Sequence, residues 1–200
     1  MPQPAPETPS ASATDVEPDP EPPSTRSTSP LATSAQQLIG DVVHDFDGWA
    51  VIPDVEALIQ SAADALLAFV DLGTPQASVA ILLTSDAEVR RLNAQWRGID
   101  QPTNVLSFPA HEAPGDLEQV DNLGDIALAC ETVLREAAEQ GTTAAHHLQH
   151  LVVHGLLHLL GYDHEAADDA AEMEALEVEI LARLGIADPY AGHELVGDGA

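Results

Sequence analysis

The chain has 200 residues, with 34 acidic side chains against six arginines and no lysine, and its formal net charge is −28. This charge repels polyanions and excludes strong non-specific binding to bulk nucleic acid at moderate salt, and no segment approaches the roughly 18 apolar residues of a membrane span. The only cysteine has no partner in the chain, and we find no export signal, so we expect a cytoplasmic protein.

The N-terminal segment, residues 1–36, differs in composition from the rest. It holds nine of the fifteen prolines and five acids, and it has almost no large apolar side chain. Such a segment has too little apolar surface to form a core, and we expect a disordered tail. We predict a single domain over residues 37–190 and a flexible C-terminus over 191–200.

Two helices and two strands are predicted in the first half of the domain. Residues 54–70 have apolar side chains at helical spacing, and the apolar run 77–83, rich in Val, Ile and Leu, suits a buried strand. Ser85 is a typical N-cap for a helix of about ten residues. Residues 103–109 contain Val, Leu and Phe and are predicted to form a second strand.

The second half is predicted to be mainly helical. Residues 111–122 are predicted to form a loop, and residues 124–130 form a strand. Helices are expected over 131–140, 143–160 and 168–184. The fold class is therefore α/β (α+β), with a small mixed sheet of about four strands packed against about five helices.

Three smaller features of the second half have simple interpretations. We expect Cys130 to be a small buried residue and Met173 to be a core residue in the middle of a helix. The acidic residues of 165–179 are interpreted mostly as a solvated helix face.

Three histidines and a glycine form the most informative motif. His154 and His158 are one helical turn apart, so both imidazoles face the same side of a helix. Gly161 can adopt a left-handed conformation that ends the helix and turns the chain back, which makes His164 the natural third ligand. Three neutral nitrogens leave one tetrahedral position of Zn²⁺ open, as in catalytic zinc sites. The motif therefore predicts a catalytic zinc site at the end of a helix.

The same spacing occurs in metzincin proteases, HExxHxxGxxH, with one difference. Gly155 occupies the position of the glutamate that serves those proteases as general base. Glycine cannot take a proton from a water that attacks a peptide carbonyl. A metalloprotease or another zinc hydrolase remains an alternative on ligand spacing, but without this base.

His150 lies one turn before the motif on the same face. It is either a fourth ligand or a residue that contacts a ligand, and the rise of about 6 Å over four residues favours the latter. His146 and His147 are interpreted as surface or metal-neighbourhood residues without assigned roles.

Three stretches together resemble the bacterial YbeY endoribonucleases. They are LNAQWRGIDQPTNVLSFP over 92–109, LGDI over 123–126 and HLVVHGLLHLLGYDH over 150–164. The resemblance spans roughly residues 50–185. It implies a single-strand-directed, zinc-dependent ribonuclease that matures ribosomal RNA, notably the 3′ end of the small-subunit (16S) RNA, and that helps to remove defective ribosomes.

The resemblance also assigns residues. His154, His158 and His164 match the family's zinc ligands, for one ion per chain, and Arg97 matches its functionally important arginine. We predict Arg97 and His154 to be catalytic, because a guanidinium can grip a phosphate with two hydrogen bonds. The alternative for Arg97 is a salt bridge to Asp100 or Asp125. Either water or the RNA 2′-hydroxyl would be the nucleophile.

Several polar residues near these motifs have two interpretations each. Asp125 would hydrogen-bond a ligand histidine or Arg97, or else serve a structural role at a strand end. Ser107 and Asn104 would contact RNA or only pair with backbone. Asp163 is a conceivable proton acceptor. Two departures from the family pattern are Asn104 in place of aspartate and Trp96 in place of tyrosine or phenylalanine.

The acidic charge bears on partners. The substrate implied by the resemblance is single-stranded RNA, yet the domain has little positive surface. We therefore expect specificity to come from the ribosome or ribosomal proteins, unless the composition reflects adaptation to high salt, where screening removes repulsion. A third candidate function is a ribosome-assembly factor whose zinc site mainly holds the fold.

Overall fold

The computed structural model describes four ranges, which are residues 38–74, 77–111, 121–164 and 166–191. All of them belong to one compact unit, residues 35–200. The predicted disordered tail, the predicted flexible C-terminus after residue 191 and most of the predicted loop 111–122 lie outside the described residues. Within the described ranges, no helix is both long and apolar enough to cross a membrane.

In the described ranges, four strands form a single mixed sheet. They are β1 (Ile39–His44), β2 (Ser78–Thr84), β3 (Val105–Pro109) and β4 (Asn122–Ala129), in the order β1-β2-β4-β3. The pairs β1·β2 and β2·β4 are parallel, whereas β3 runs antiparallel to β4 along the other edge. The predicted small mixed sheet is confirmed.

Five α-helices and one short 3₁₀ helix complete the described fold. The α-helices are α1 (Val55–Leu66), α2 (Asp86–Arg97), α3 (Cys130–Gln140), α4 (Ala144–Leu159) and α5 (Ala167–Arg183), and the 3₁₀ helix is Asp47–Val51. Ser85 caps α2 as predicted, because its side chain accepts a hydrogen bond from the Glu88 backbone N–H. The α/β class with about five helices is confirmed.

The first strand and the 3₁₀ helix were not predicted. β1 lies at the edge of the sheet, and only Ile39 among its residues is buried, so its sequence lacks the apolar alternation of a covered strand. The first predicted helix ends at Leu66 rather than at residue 70. Ala68 and Phe69 donate to carbonyls three residues back, which tightens the chain out of α-helical geometry.

The two faces of the sheet are covered unequally. One face carries Ile81 and Ile126 into the main core, which α1, α4 and α5 complete. Met173 and Cys130 are both 1% exposed in this core, as predicted. On the other face a small cluster around Val89 of α2 covers only part of the surface. The main core therefore holds α4 rigidly against the sheet.

The contact of α4 with β3 and β4 is close at Gly155. A Cβ atom on this buried residue would lie 3.0 Å from Ile126 Cδ1 and 3.1 Å from Ser107 Oγ. The Ser107 hydroxyl donates a hydrogen bond of 3.2 Å to the Gly155 carbonyl oxygen. Glycine lets the helix backbone approach the sheet, and a larger residue would require Ile126 or Ser107 to shift by a few tenths of an ångström.

We predict that Gly155→Ala lowers the free energy of unfolding by about 1 kcal/mol, because overpacking outweighs the gain in helix propensity. The loss should shrink when Ile126→Val removes the Cδ1 atom that the new methyl meets. Urea unfolding of the two single variants and the double variant measures this coupling. Additive effects would contradict the packing explanation.

Candidate metal centre

The chain leaves α4 through a tight turn at Gly161, which has a φ of +89°. The Tyr162 N–H donates to the Leu157 carbonyl at 3.1 Å, and the Gly161 N–H donates to the His158 carbonyl at 3.0 Å. This pair of bonds is the Schellman motif, which needs a left-handed residue at the position of Gly161. The predicted helix end is confirmed, and the turn directs the following residues back toward the helix.

The turn brings three imidazoles together. His154, His158 and His164 each offer one ligand atom, and these atoms all lie within 4.8 Å of one another. His154 and His158 are half-buried, while His164 is exposed. The group therefore faces solvent on the side of His164. Asp163 helps to shape this side, because its Oδ1 accepts a 2.7 Å hydrogen bond from the His164 N–H.

Both helical histidines have an acceptor beside Nδ1. His158 Nδ1 lies 3.0 Å from the Tyr162 carbonyl oxygen, which can only accept, so this nitrogen carries the hydrogen. His154 Nδ1 lies 3.3 Å from Oε1 of Glu177, a charge contact that favours the same tautomer. In their neutral forms both rings therefore present an unprotonated Nε2 to the group.

The two Nε2 atoms are 3.1 Å apart. Two lone pairs at this distance repel each other, and a shared cation would relieve the repulsion. Two nitrogens bound tetrahedrally to zinc at 2.0–2.1 Å are separated by roughly 3.3 Å, close to the observed spacing. Burial, followed by the charges of His154 and His164, lowers the pKa of His158 and so favours the neutral, ligating form. The residues present therefore fit one zinc ion.

Glu177 of α5 is the residue of this site that sequence reasoning missed. Its carboxylate is fully buried, although the acids of 165–179 were expected to be mostly solvated. Burial by itself would raise its pKa, but contacts with His150 and His154 prevail and lower the pKa to about 2. The helical spacing could have indicated this burial, since Glu177 lies four residues after Met173 and three before Ile180, on the buried stripe of the helix.

His150 does not join the ligand group within the described residues. Its Nε2 lies 3.3 Å from Glu177 Oε1, the oxygen that also contacts His154, and its ring meets that of His154 edge to face at 6.4 Å. His147 is buried, not on the surface, and its Nε2 lies 2.9 Å from Glu136. Glu136 also accepts a hydrogen bond from the Asn104 amide, which places Asn104 in a structural network between β3, α3 and α4.

Arg97 ends α2 with an exposed guanidinium. It forms no hydrogen bond or ion pair with any residue that the structure describes, and Asp100 is paired with Arg90 at 2.6 and 2.9 Å instead. The alternative of a salt bridge from Arg97 to Asp100 or Asp125 is therefore not what the structure has. Arg97 and the three histidines line one open groove of about 1320 Å³.

Asp125 and Ser107 also line this groove, and the structure distinguishes between the two interpretations given for each. The Asp125 carboxylate is exposed and forms no side-chain hydrogen bond or ion pair in the described ranges. Strand alternation keeps Asp125 away from the histidines of α4, because its neighbour Ile126 points toward α4 and Asp125 points to the opposite face. The predicted bond from Asp125 to a ligand histidine or to Arg97 is absent, and the Ser107 hydroxyl bonds to the helix backbone.

The family model and the curated relatives that match this chain share one description. The family model described as endoribonuclease YbeY matches residues 48–185. The protein named endoribonuclease YbeY from Bradyrhizobium diazoefficiens is 57% identical over 148 residues, which cover 72% of this chain and 81% of the relative. Its namesake from Azorhizobium caulinodans is 54% identical over 153 residues, covering 76% and 95%. A solution structure from Thermotoga maritima aligns with a TM-score of 0.44 and 23% identity, covering 82% and 100%.

The lowered pKa of His158 predicts how the stability of the metal-free protein depends on pH. Below its ordinary value of 6.5, the unfolded histidine takes up a proton that the folded one resists. The unfolded state then binds more protons, so the free energy of unfolding falls as the pH drops through this range. The free energy of unfolding is measured with urea in the presence of a chelator, at about pH 7.5 and about pH 5.5. It should decrease more between these two pH values in wild type than in His158→Gln. Equal decreases in the two proteins would contradict the assignment of the effect to His158. His147, whose pKa is also lowered by burial, contributes equally to wild type and to the variant.

Proposed function

The chain belongs to the endoribonuclease YbeY family, and we propose that its three-histidine site binds one zinc ion and cleaves single-stranded RNA during maturation of ribosomal RNA. The observation that carries this proposal is the pair of tethered imidazoles, whose Nε2 atoms face each other at 3.1 Å in the groove that Arg97 also lines. From the family resemblance we place its action at the 3′ end of the small-subunit RNA and in ribosome quality control.

The roles of the residues follow from their chemistry. His154, His158 and His164 would hold the zinc ion, which when bound supplies Lewis acidity at a phosphodiester. The unpaired guanidinium of Arg97 would donate two parallel hydrogen bonds to phosphate oxygens and offset the charge that builds on them. This role of Arg97 is the same whether water or the 2′-hydroxyl attacks.

The packing at Gly155 favours RNA cleavage over proteolysis. A glutamate at this position, as in the metzincin motif, would begin with a Cβ 3.0 Å from Ile126 and 3.1 Å from Ser107. A glutamate there would require Ile126 or Ser107 to shift, and the glycine present cannot act as the general base that proteolysis would need.

Aromatic side chains support a single-stranded substrate. Trp96 is 65% exposed, although it is large and apolar, and it precedes the unpaired Arg97 in α2. Its ring meets Phe108 edge to face at 6.1 Å, and both line the groove of the histidines. Unpaired bases stack on such rings, whereas paired bases are stacked within their own helix. The tryptophan keeps the aromatic character of the family's tyrosine or phenylalanine.

The acidic charge of the chain bears on the partners. At −28 the protein has little long-range attraction for RNA, so stacking and a single arginine would supply most of the direct affinity. Basic ribosomal proteins are therefore proposed as the partners that bring the substrate to the site, in the cytoplasm.

We predict that His158→Ala loses zinc and RNA cleavage together, while Arg97→Ala keeps zinc and loses cleavage by about 100-fold or more. Arg183→Ala is the matched control, because Arg183 is exposed at the end of α5 and does not line the groove. Bound zinc and cleavage of a single-stranded RNA and of a generic protein are measured for each variant. Protein cleavage that depends on His158 would favour the protease, and a folded, zinc-loaded but inactive wild type would favour a structural zinc.

We predict that Trp96→Ala raises the KM for single-stranded RNA by about tenfold, since stacking contributes about 1–3 kcal/mol per base. Trp96→Phe should retain most of the affinity. Val51→Ala is the control, because Val51 is 61% exposed and lies outside the groove. An unchanged KM in Trp96→Ala would contradict the stacking role.

A further inference from the structure

The buried carboxylate of Glu177 lies at the centre of a cluster of four side chains that includes the ligand His154. Its Oε1 atom is 3.3 Å from His150 Nε2 and 3.3 Å from His154 Nδ1. Its other oxygen, Oε2, accepts a hydrogen bond from the Tyr190 hydroxyl. Three side chains, two from α4 and one from the turn after α5, therefore meet at the carboxylate of Glu177.

The position of Glu177 is costly for a carboxylate. Its side chain is fully buried, between Met173 and Ile180 on the apolar stripe of α5. A buried charge is destabilising unless it is paired, and an apolar residue would fill this stripe at a lower cost. Packing alone does not account for a glutamate here, whereas its contact with a candidate metal ligand does.

The two helical ligands are tethered differently. His158 donates to a neutral backbone carbonyl, that of Tyr162, at 3.0 Å. His154 instead meets a carboxylate, and carboxylate contacts on Nδ1 fix the ring of a metal-binding histidine and make its Nε2 a stronger donor to the metal. Loss of the negative charge would therefore weaken one specific ligand.

We propose that Glu177 is a positioning residue for the metal centre, which holds His154 with Nε2 toward the ion and is itself held by His150 and Tyr190. This inference rests on the proposed zinc site and adds residues that the histidine motif does not contain.

Tyr190 extends the centre beyond the last helix. The residues after α5 form a turn in which the Tyr190 N–H donates to Asp188 Oδ1 at 2.8 Å, and this turn places the phenol over the end of the carboxylate. Burial and the contact with Glu177 raise the pKa of Tyr190, which keeps the hydroxyl protonated and able to donate. The turn after α5 is thereby part of the support of the metal site.

The test compares Glu177→Gln and Tyr190→Phe with wild type. Glu179→Gln is the matched control, because it removes an exposed carboxylate from the same helix. The zinc Kd, measured by competition with a chelator, should rise about 10- to 100-fold in Glu177→Gln, by a smaller factor in Tyr190→Phe and not at all in the control. The visible absorption of the Co²⁺-loaded protein should shift in Glu177→Gln, since the donor strength of one ligand changes.

The zinc-binding results test the role of Glu177 separately from the proposed function. A wild-type chain that binds no zinc would overturn both, whereas a wild type that binds zinc beside an unchanged Kd in Glu177→Gln would overturn the inference alone. The urea unfolding midpoint of the metal-free variants distinguishes positioning from a general loss of structure. If Glu177→Gln does not fold, Tyr190→Phe decides, because an unchanged Kd after removal of that single hydroxyl would overturn the proposal.

Discussion

His154 and His158 stand one helical turn apart, and the Nδ1 atom of each lies beside an oxygen, that of the Glu177 carboxylate for His154 and that of the Tyr162 carbonyl for His158. Both oxygens favour a hydrogen on Nδ1, and the two Nε2 atoms are held 3.1 Å apart. Helical spacing alone would bring these rings to one face without deciding which nitrogen points outward. The acceptors remove that freedom before any ion arrives, which lowers the entropic cost of binding. The metal chemistry proposed for this chain depends on that arrangement.

Separate features of the fold position the helix and the two acceptor oxygens. Gly155 lets α4 approach the sheet closely enough for the Ser107 hydroxyl to reach its backbone carbonyl, which fixes the position of the helix. The Schellman turn at Gly161 presents the Tyr162 carbonyl to His158 and leads into His164. Glu177 of α5 provides the carboxylate that lies beside His154. The edge of the sheet stays open beside these elements, and the groove there joins the histidines to Arg97 and to the exposed ring of Trp96.

The sequence predicted what depends on local chemistry and missed what depends on distant neighbours. The spacing of the histidines and the glycine was enough to predict the turn and the ligand group. The caps and the apolar runs were enough to predict most helices and strands. β1 was missed because an edge strand with one buried residue has no apolar alternation. Glu177 was counted among solvated acids, since its partners His150 and Tyr190 are 27 residues before it and 13 after it. The contact suggested between Asp125 and a ligand histidine is ruled out by strand alternation, because the face that Asp125 occupies depends on the pairing register.

Zinc coordination by the three histidines is the central claim, since Arg97, the groove and Glu177 all acquire their proposed roles from it. The metal-free protein can be titrated with zinc and the loaded protein measured by X-ray absorption at the zinc edge. We predict one ion per chain with three imidazole nitrogens at about 2.0–2.1 Å and an oxygen donor completing the shell. A sulfur shell at about 2.3 Å, from the buried Cys130, or a spectrum that is unchanged in His154→Ala would contradict the account.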